Sequence, residues 1–295
     1  MRQKTLAFEA IGTHWEIRLD QEMASGGLAA LLRQVQARTE AFDKAWSRFR
    51  DDSLVTVMSR KAGTYDLSTD GFAIMQLYER LYRATDGLVT PLIGQVMADA
   101  GYDAAYSFEQ KKLQHPPKWE DVISYDEKHI TVAKPVLLDF GAAGKGYLVD
   151  VVAELLRQAG LTSFVINASG DIVHRSDDSR SMEVGLENPM DTSEVIGLTM
   201  LCNGSLCASS GSRRKWQDMH HIINPATLQP ANQIIATWVI AGDTMTADGL
   251  ATALFFVPPE RLLRDFSFEY AALDNAMLLS RSKNFPLKTF EDSHA

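Results

Sequence analysis

Short runs that alternate apolar and polar residues follow longer runs with helical spacing along this chain, and no regular strand–helix–strand order emerges. That irregular mixture constrains the fold most, because a doubly wound parallel sheet needs the regular alternation. Over 5–19 the alternation predicts two strands that meet near Gly12, followed by a helical pattern over 28–46. A second helix is expected over 71–84, with Ile74, Leu77, Tyr78 and Leu81 on one face and Asp86-Gly87 as its stop. Further strands are expected over 130–132, 135–139, 163–167 and 234–241. Helices are expected over 145–158 and 246–256, the last ended by Pro258-Pro259. Asn203-Gly204 between two apolar runs predicts a hairpin, since both turn residues need positive φ. A charged, proline-bearing stretch near 110–128 marks a subdomain boundary within one unit over 1–295. The expected class is α+β, with a mixed or antiparallel sheet flanked by helices.

With 45% hydrophobic and 23% charged residues, the 295-residue chain can bury a core, which excludes disorder and coiled coil. No run approaches the roughly 18 apolar residues of a membrane span. The net charge of −9 opposes diffuse attraction to nucleic acid, so an anionic ligand needs a local device. The N-terminal stretch lacks the apolar core of a secretory signal, and Cys202 and Cys207 are too few for a disulfide framework, so a reduced cytoplasmic compartment is expected.

Five segments carry polar groups in arrangements with chemical meaning. In Leu138-Asp-Phe-Gly-Ala-Ala-Gly-Lys-Gly-Tyr147, a strand ending in Asp139 enters a small-residue turn and a helix headed by Lys145. Free backbone N–H groups and an ammonium there suit phosphate oxygens, although a tight turn with a solvated lysine satisfies the pattern too. In Thr246-Ala-Asp248-Gly-Leu-Ala-Thr252, residues four apart share a helix face, so the Asp248 carboxylate and Thr252 hydroxyl can converge on a hard cation such as Mg2+ or Ca2+. Helix capping by Thr246 or Asp248 is the plainer alternative. His220-His221 precedes an Asn-Pro turn, and adjacent residues of a strand face opposite sides, so at most one histidine enters a site. Asn167-Ala-Ser-Gly-Asp171 is a strand end at which Asp171 could accept from ligand hydroxyls or close an Asx turn. Ser209 to Trp216 forms a basic island that either meets phosphate or is simply solvated.

Taken in order, the turn around Lys145, Asn167 to Asp171, Ser209-Ser-Gly211, His221-Ile-Ile-Asn-Pro225-Ala-Thr227 and Thr246 to Thr252 resemble the ApbE family of flavin transferases. Gly12-Thr13, Trp46-Ser-Arg-Phe-Arg-Asp-Asp-Ser53 and Thr85-Asp-Gly87 extend the likeness over about residues 11 to 257. The resemblance implies a T-fold-like core and an enzyme that splits FAD, releases AMP and joins FMN through a phosphoester to a Ser or Thr of a target flavoprotein. It implies Mg2+, with Ca2+ or Mn2+ as substitutes, held by Asp248, Thr252 and the Gly144 carbonyl. It assigns catalytic roles to His221 and Lys145, and FAD contacts to Lys145, Asp139, Asp171, Ser210, Gly211 and Trp46. The pattern departs from the family at Thr90, Ser169, Asn224 and Leu228, where the family usually has Asp, Gly, Asp and Gly. Thr90, Asn224 and Leu228 motivate a second expectation, a non-catalytic FAD-binding protein, and the same site groups with water as nucleophile give a third, a metal-dependent pyrophosphatase that yields FMN and AMP.

Overall fold

The computed structural model describes residues 4–21 and 23–289. Its helices are α1 (Ser25–Trp46), α2 (Leu54–Arg60), α3 (Thr69–Ala84), α4 (Gly94–Asp99), α5 (Gly144–Gln158), α6 (Thr244–Ala253) and α7 (Pro259–Leu262). Local chemistry starts several of them. Ser53 accepts the Thr56 N–H at α2, Ser68 accepts the Gly71 N–H at α3, and Asp243 accepts the Thr246 N–H at α6. Asp243, one residue before α6, is therefore the cap that the sequence pattern offered to Thr246 or Asp248.

Eight antiparallel strands form the main sheet, in the order Lys4–Ala10, Thr13–Leu19, Phe164–Ala168, Asp171–Arg175, Ser205–Ser210, Ile234–Ala241, Glu269–Asp274 and Leu279–Arg281. Alternation splits the central strands between two cores. Phe164, Ile166, Val173, Cys207 and Val239 face the helices, in a large cluster with Tyr78, Leu81 and Leu250. Val165, Ile172, Leu206 and Trp238 face the other way, toward Leu186 and Leu201 of a three-stranded sheet and Phe285 beside it. The α+β expectation with helices flanking an antiparallel sheet matches this architecture.

Two local expectations do not hold. Residues 135–139 are extended but join no ladder: Val136 N donates to Met58 O at 3.1 Å and Asp139 N to Pro91 O at 2.7 Å, so helix ends take those bonds. Asn203-Gly204 is not a hairpin either. Asp191–Leu201 pairs with Met182–Asn188 in the small sheet, whereas Ser205–Ser210 pairs with Asp171–Arg175 and Ile234–Ala241. Asn203 does adopt φ 47, but its side chain clamps Ser176, accepting from its N–H at 2.7 Å and donating to its carbonyl at 3.0 Å. The turn thus carries the chain from one sheet to the other. The two-residue hairpin turns with both residues at positive φ are Ile11-Gly12 and Ser169-Gly170.

This switch separates the cysteines. Cys202 is exposed, and Cys207 is buried on the helix-facing side with its thiol pushed well up by burial beside Asp171 and Asp248. Ellman's reagent should titrate one thiol in the native protein and two after denaturation; rapid reaction of both before unfolding would contradict the burial of Cys207. No helix among the described residues is long and apolar enough to cross a membrane.

Candidate active site

The turn from Asp139 to Gly144 is built by satisfying its own amides. Gly141 N donates to Asp139 Oδ1 at 2.7 Å, Ala142 N to the buried Tyr78 hydroxyl at 3.1 Å, and Gly144 N to Phe140 O at 2.7 Å. Gly146 N, one turn into α5, donates to Asp248 Oδ2 at 2.9 Å. The free N–H cradle that the sequence suggested is therefore largely occupied. A phosphate at this turn would have to be held by side chains and a cation more than by bare amides.

Gly146 sets the meeting of α5 with α6. A Cβ there would lie 2.4 Å from Thr244 O and 2.7 Å from Asp248 Cβ, so only glycine permits the approach. Asp150, one turn further, accepts the Thr244 and Met245 N–H groups at 2.9 and 2.8 Å and fixes the start of α6. Burial raises its carboxyl to about 6 against the pull of those donors. Gly146→Ala should force the helices apart, cost about 1–3 kcal/mol of stability in urea melts, and weaken Mn2+ binding at Asp248. A variant with wild-type stability and metal affinity would show that this contact does not position the site.

A cleft of about 440 Å3 opens where α5 and α6 meet the ends of the central strands. Asp139, Gly144, Lys145, His221, Asp248 and Thr252 all line it, as do Trp46 and Ser210. Asp171 and Gly211 stand outside that lining. Asp171 is fully buried behind Lys145, with which it forms an ion pair, and a Cβ on Gly211 would lie 3.2 Å from the His220 ring. Lys145 also donates to Ala168 O at 3.2 Å. Burial opposes its charge, yet Asp171 and Asp248 beside it hold its pKa above the ordinary value. Asp248 is pushed well up by burial and by Asp171, a carboxylate that a cation would relieve.

The donor set fits a hard divalent ion. Among the described residues no three His, Cys, Asp or Glu side chains converge on a metal position, so a cation here would rest on the oxygens of Asp248, Thr252 and Gly144, which share one wall. Mg2+ commonly takes few protein oxygens and completes its shell with water and ligand phosphate.

The histidines divide their roles. His220 Nε2 lies 3.2 Å from Asn232 Oδ1, and its Nδ1 accepts the Ile222 N–H at 3.2 Å, which assigns the Nε2–H tautomer and ties the ring into the structure. His221 faces the cleft, and its buried Nδ1 has no hydrogen-bond partner among the described residues. Burial, with Arg214 and His220 nearby, pushes its pKa down to about 3, so the ring is neutral at pH 7.

The residues at the four departures serve local structure. Thr90 accepts the Leu92 N–H, and Asn224 Oδ1 accepts from Ala226 and Thr227. Ser169 and Leu228 sit at φ 50 and 59, the left-handed region that glycine enters most readily. Ser169 Oγ also donates to His14 O at 3.0 Å. Arg214, from the basic island expected to meet phosphate or be solvated, lines the cleft, as does Arg48, which lies inside the Trp46 to Ser53 motif and received no role of its own from sequence.

The model of the ApbE family matches residues 11–272 of the chain. A FAD:protein FMN transferase of Klebsiella pneumoniae is 24% identical over 277 residues, covering 86% of this chain and 78% of the relative. One from Haemophilus influenzae is 27% identical over 262 residues, covering 80% and 73%. Among solved structures, the flavin transferase ApbE of Vibrio cholerae superposes with a TM-score of 0.77 at 18% identity, over 96% of this chain and 98% of the other. The ApbE protein of Thermotoga maritima gives 0.79 at 19%, over 96% and 97%.

Proposed function

The chain belongs to the ApbE family, and from that premise we propose that it is a FAD:protein FMN transferase. It splits the FAD pyrophosphate, releases AMP, and joins FMN through a phosphoester to a Ser or Thr hydroxyl of a target flavoprotein. The observation that carries this proposal is the convergence of Asp248, Thr252, Gly144, Lys145 and His221 on one cleft.

Displacement at phosphorus requires charge neutralisation and alignment rather than covalent help. A divalent ion, Mg2+ by its chemistry, with Asp248, Thr252 and the Gly144 carbonyl as ligands, supplies that neutralisation to the bridging phosphates when bound. Lys145 adds positive charge at the same wall, held in place by Asp171 and the Ala168 carbonyl. Tyr78, whose phenol is kept protonated by burial, and Asp139 hold the turn that carries Gly144. His221, a neutral imidazole in the cleft wall, takes the proton of the acceptor hydroxyl on a ring nitrogen.

The test is incubation of the protein with FAD, Mg2+ and a flavoprotein acceptor domain, read by intact mass and by AMP release. Equal amounts of AMP and of FMN-bearing acceptor are expected. AMP formed at the same rate without acceptor would make the protein a pyrophosphatase. FAD bound but left whole would make it a binding protein.

A further inference from the structure

Arg48 lines the cleft but has no part in the chemistry above. Its side chain is only 3% exposed, and its guanidinium is fixed from several directions. Nε donates to Asp139 Oδ2 at 2.5 Å and Nη1 to Tyr102 O at 2.6 Å, while Cζ lies 4.1 Å from the Phe49 ring centroid and 5.0 Å from that of Tyr102. Those rings are themselves backed: Phe49 stacks on Tyr106 at 5.3 Å and Tyr102 on Trp216 at 5.4 Å. Of its nitrogens, Nη2 alone is buried without a partner among the described residues. Two residues earlier, the Nε1–H of Trp46, also a cleft residue, is likewise buried and has no partner among the described residues. Orphaned buried donors are rare because each forfeits its hydration, and two in one cleft wall point to acceptor atoms on a ligand.

Charge narrows the class of acceptor. The Arg48 cation is already answered by Asp139, so a phosphate at Nη2 would approach a carboxylate on the same guanidinium, whereas a neutral carbonyl oxygen would meet no repulsion. Trp46 offers a neutral donor only. We propose that Arg48 Nη2 and Trp46 Nε1 form a donor pair that holds the carbonyl edge of the isoalloxazine ring, which makes Arg48 a specificity-determining residue for flavin. This rests on FAD being the substrate.

The test measures binding of FAD and riboflavin by flavin fluorescence, and of ADP by calorimetry, to the unaltered protein, Arg48→Lys and Trp46→Phe. Lysine keeps a cation for Asp139 but removes Nη2, and phenylalanine keeps an apolar ring without the N–H. Arg48→Lys should weaken FAD and riboflavin at least about tenfold and leave ADP within about twofold, with Trp46→Phe changing them in the same direction. The carbonyl stretching bands of bound riboflavin should shift to higher frequency in both variants, which a merely structural role would not produce. Unchanged riboflavin affinity in both variants would overturn the assignment, as would a loss confined to ADP, which would place the guanidinium at the adenine or phosphate end. Should Arg48→Lys fail to fold, Trp46→Phe decides alone. Binding of neither FAD nor riboflavin by the unaltered protein would instead sink the FAD reading itself, and this assignment with it.

Discussion

Asp248→Asn should abolish Mg2+-dependent turnover, with a fall in kcat of about 10³-fold or more, because it removes the single charged ligand of the proposed cation and several kcal/mol of transition-state neutralisation. The substitution is nearly isosteric, and the asparagine oxygen can still accept the Gly146 N–H that Asp248 Oδ2 now takes. Fold damage and metal loss therefore separate. Burial and Asp171 push the Asp248 carboxyl well above its ordinary value, so its charge costs the metal-free fold stability at neutral pH. The variant should melt at a higher temperature than the metal-free wild type and lose the Mg2+-induced rise that a native-state ligand confers. Full activity with an unchanged metal response would refute the role of Asp248.

His221→Gln should slow transfer by about 10² to 10⁴, the usual contribution of a general base, while FAD affinity stays within a few fold. Its pH behaviour follows from burial. With a pKa of about 3 in the free protein, His221 remains neutral well below the ordinary titration range, so kcat/KM should show no acid limb from this group near pH 6.5. Bound pyrophosphate favours the imidazolium, so the acid limb of kcat should lie at higher pH than that of kcat/KM. For stability the sign is fixed: the unfolded chain binds a proton at this site below about pH 6.5 and the native state does not, so native stability drains away as pH falls from 6.5 toward 3. Urea midpoints at pH 7 and 5 should draw closer in His221→Gln. A kcat within threefold of wild type would remove His221 from the reaction.

The elements that local patterning determines were legible in the sequence. The apolar spacing of α3 and α5, the Gly12 turn between the first two strands, and the small-residue entry to Lys145 each follow from a few neighbouring residues. What failed depends on distant partners. Asn203-Gly204 has the composition of a hairpin, but Ser176 claims the asparagine, and the two flanking strands find better faces in different sheets. Residues 135–139 have strand composition, yet Met58 and Pro91 offer carbonyls where a neighbouring strand would be needed. At the site, helical spacing puts Asp248 and Thr252 on one face but leaves capping as the plainer reading, and the resemblance to the family singles them out as metal ligands. Arg48 could not be assigned in the same way, because its burial against Asp139, Phe49 and Tyr102 joins positions as far as 91 residues apart. The same limit hid the satisfaction of the turn amides by Tyr78 and Asp248.

The most direct measurement is the anomalous scattering of Mn2+ in crystals soaked with the metal and ADP. The proposed site requires a manganese peak bounded by the Asp248 carboxylate, the Thr252 hydroxyl and the Gly144 carbonyl, in contact with the diphosphate. Ordered ADP with manganese bound elsewhere, or with none at saturating metal, would contradict it.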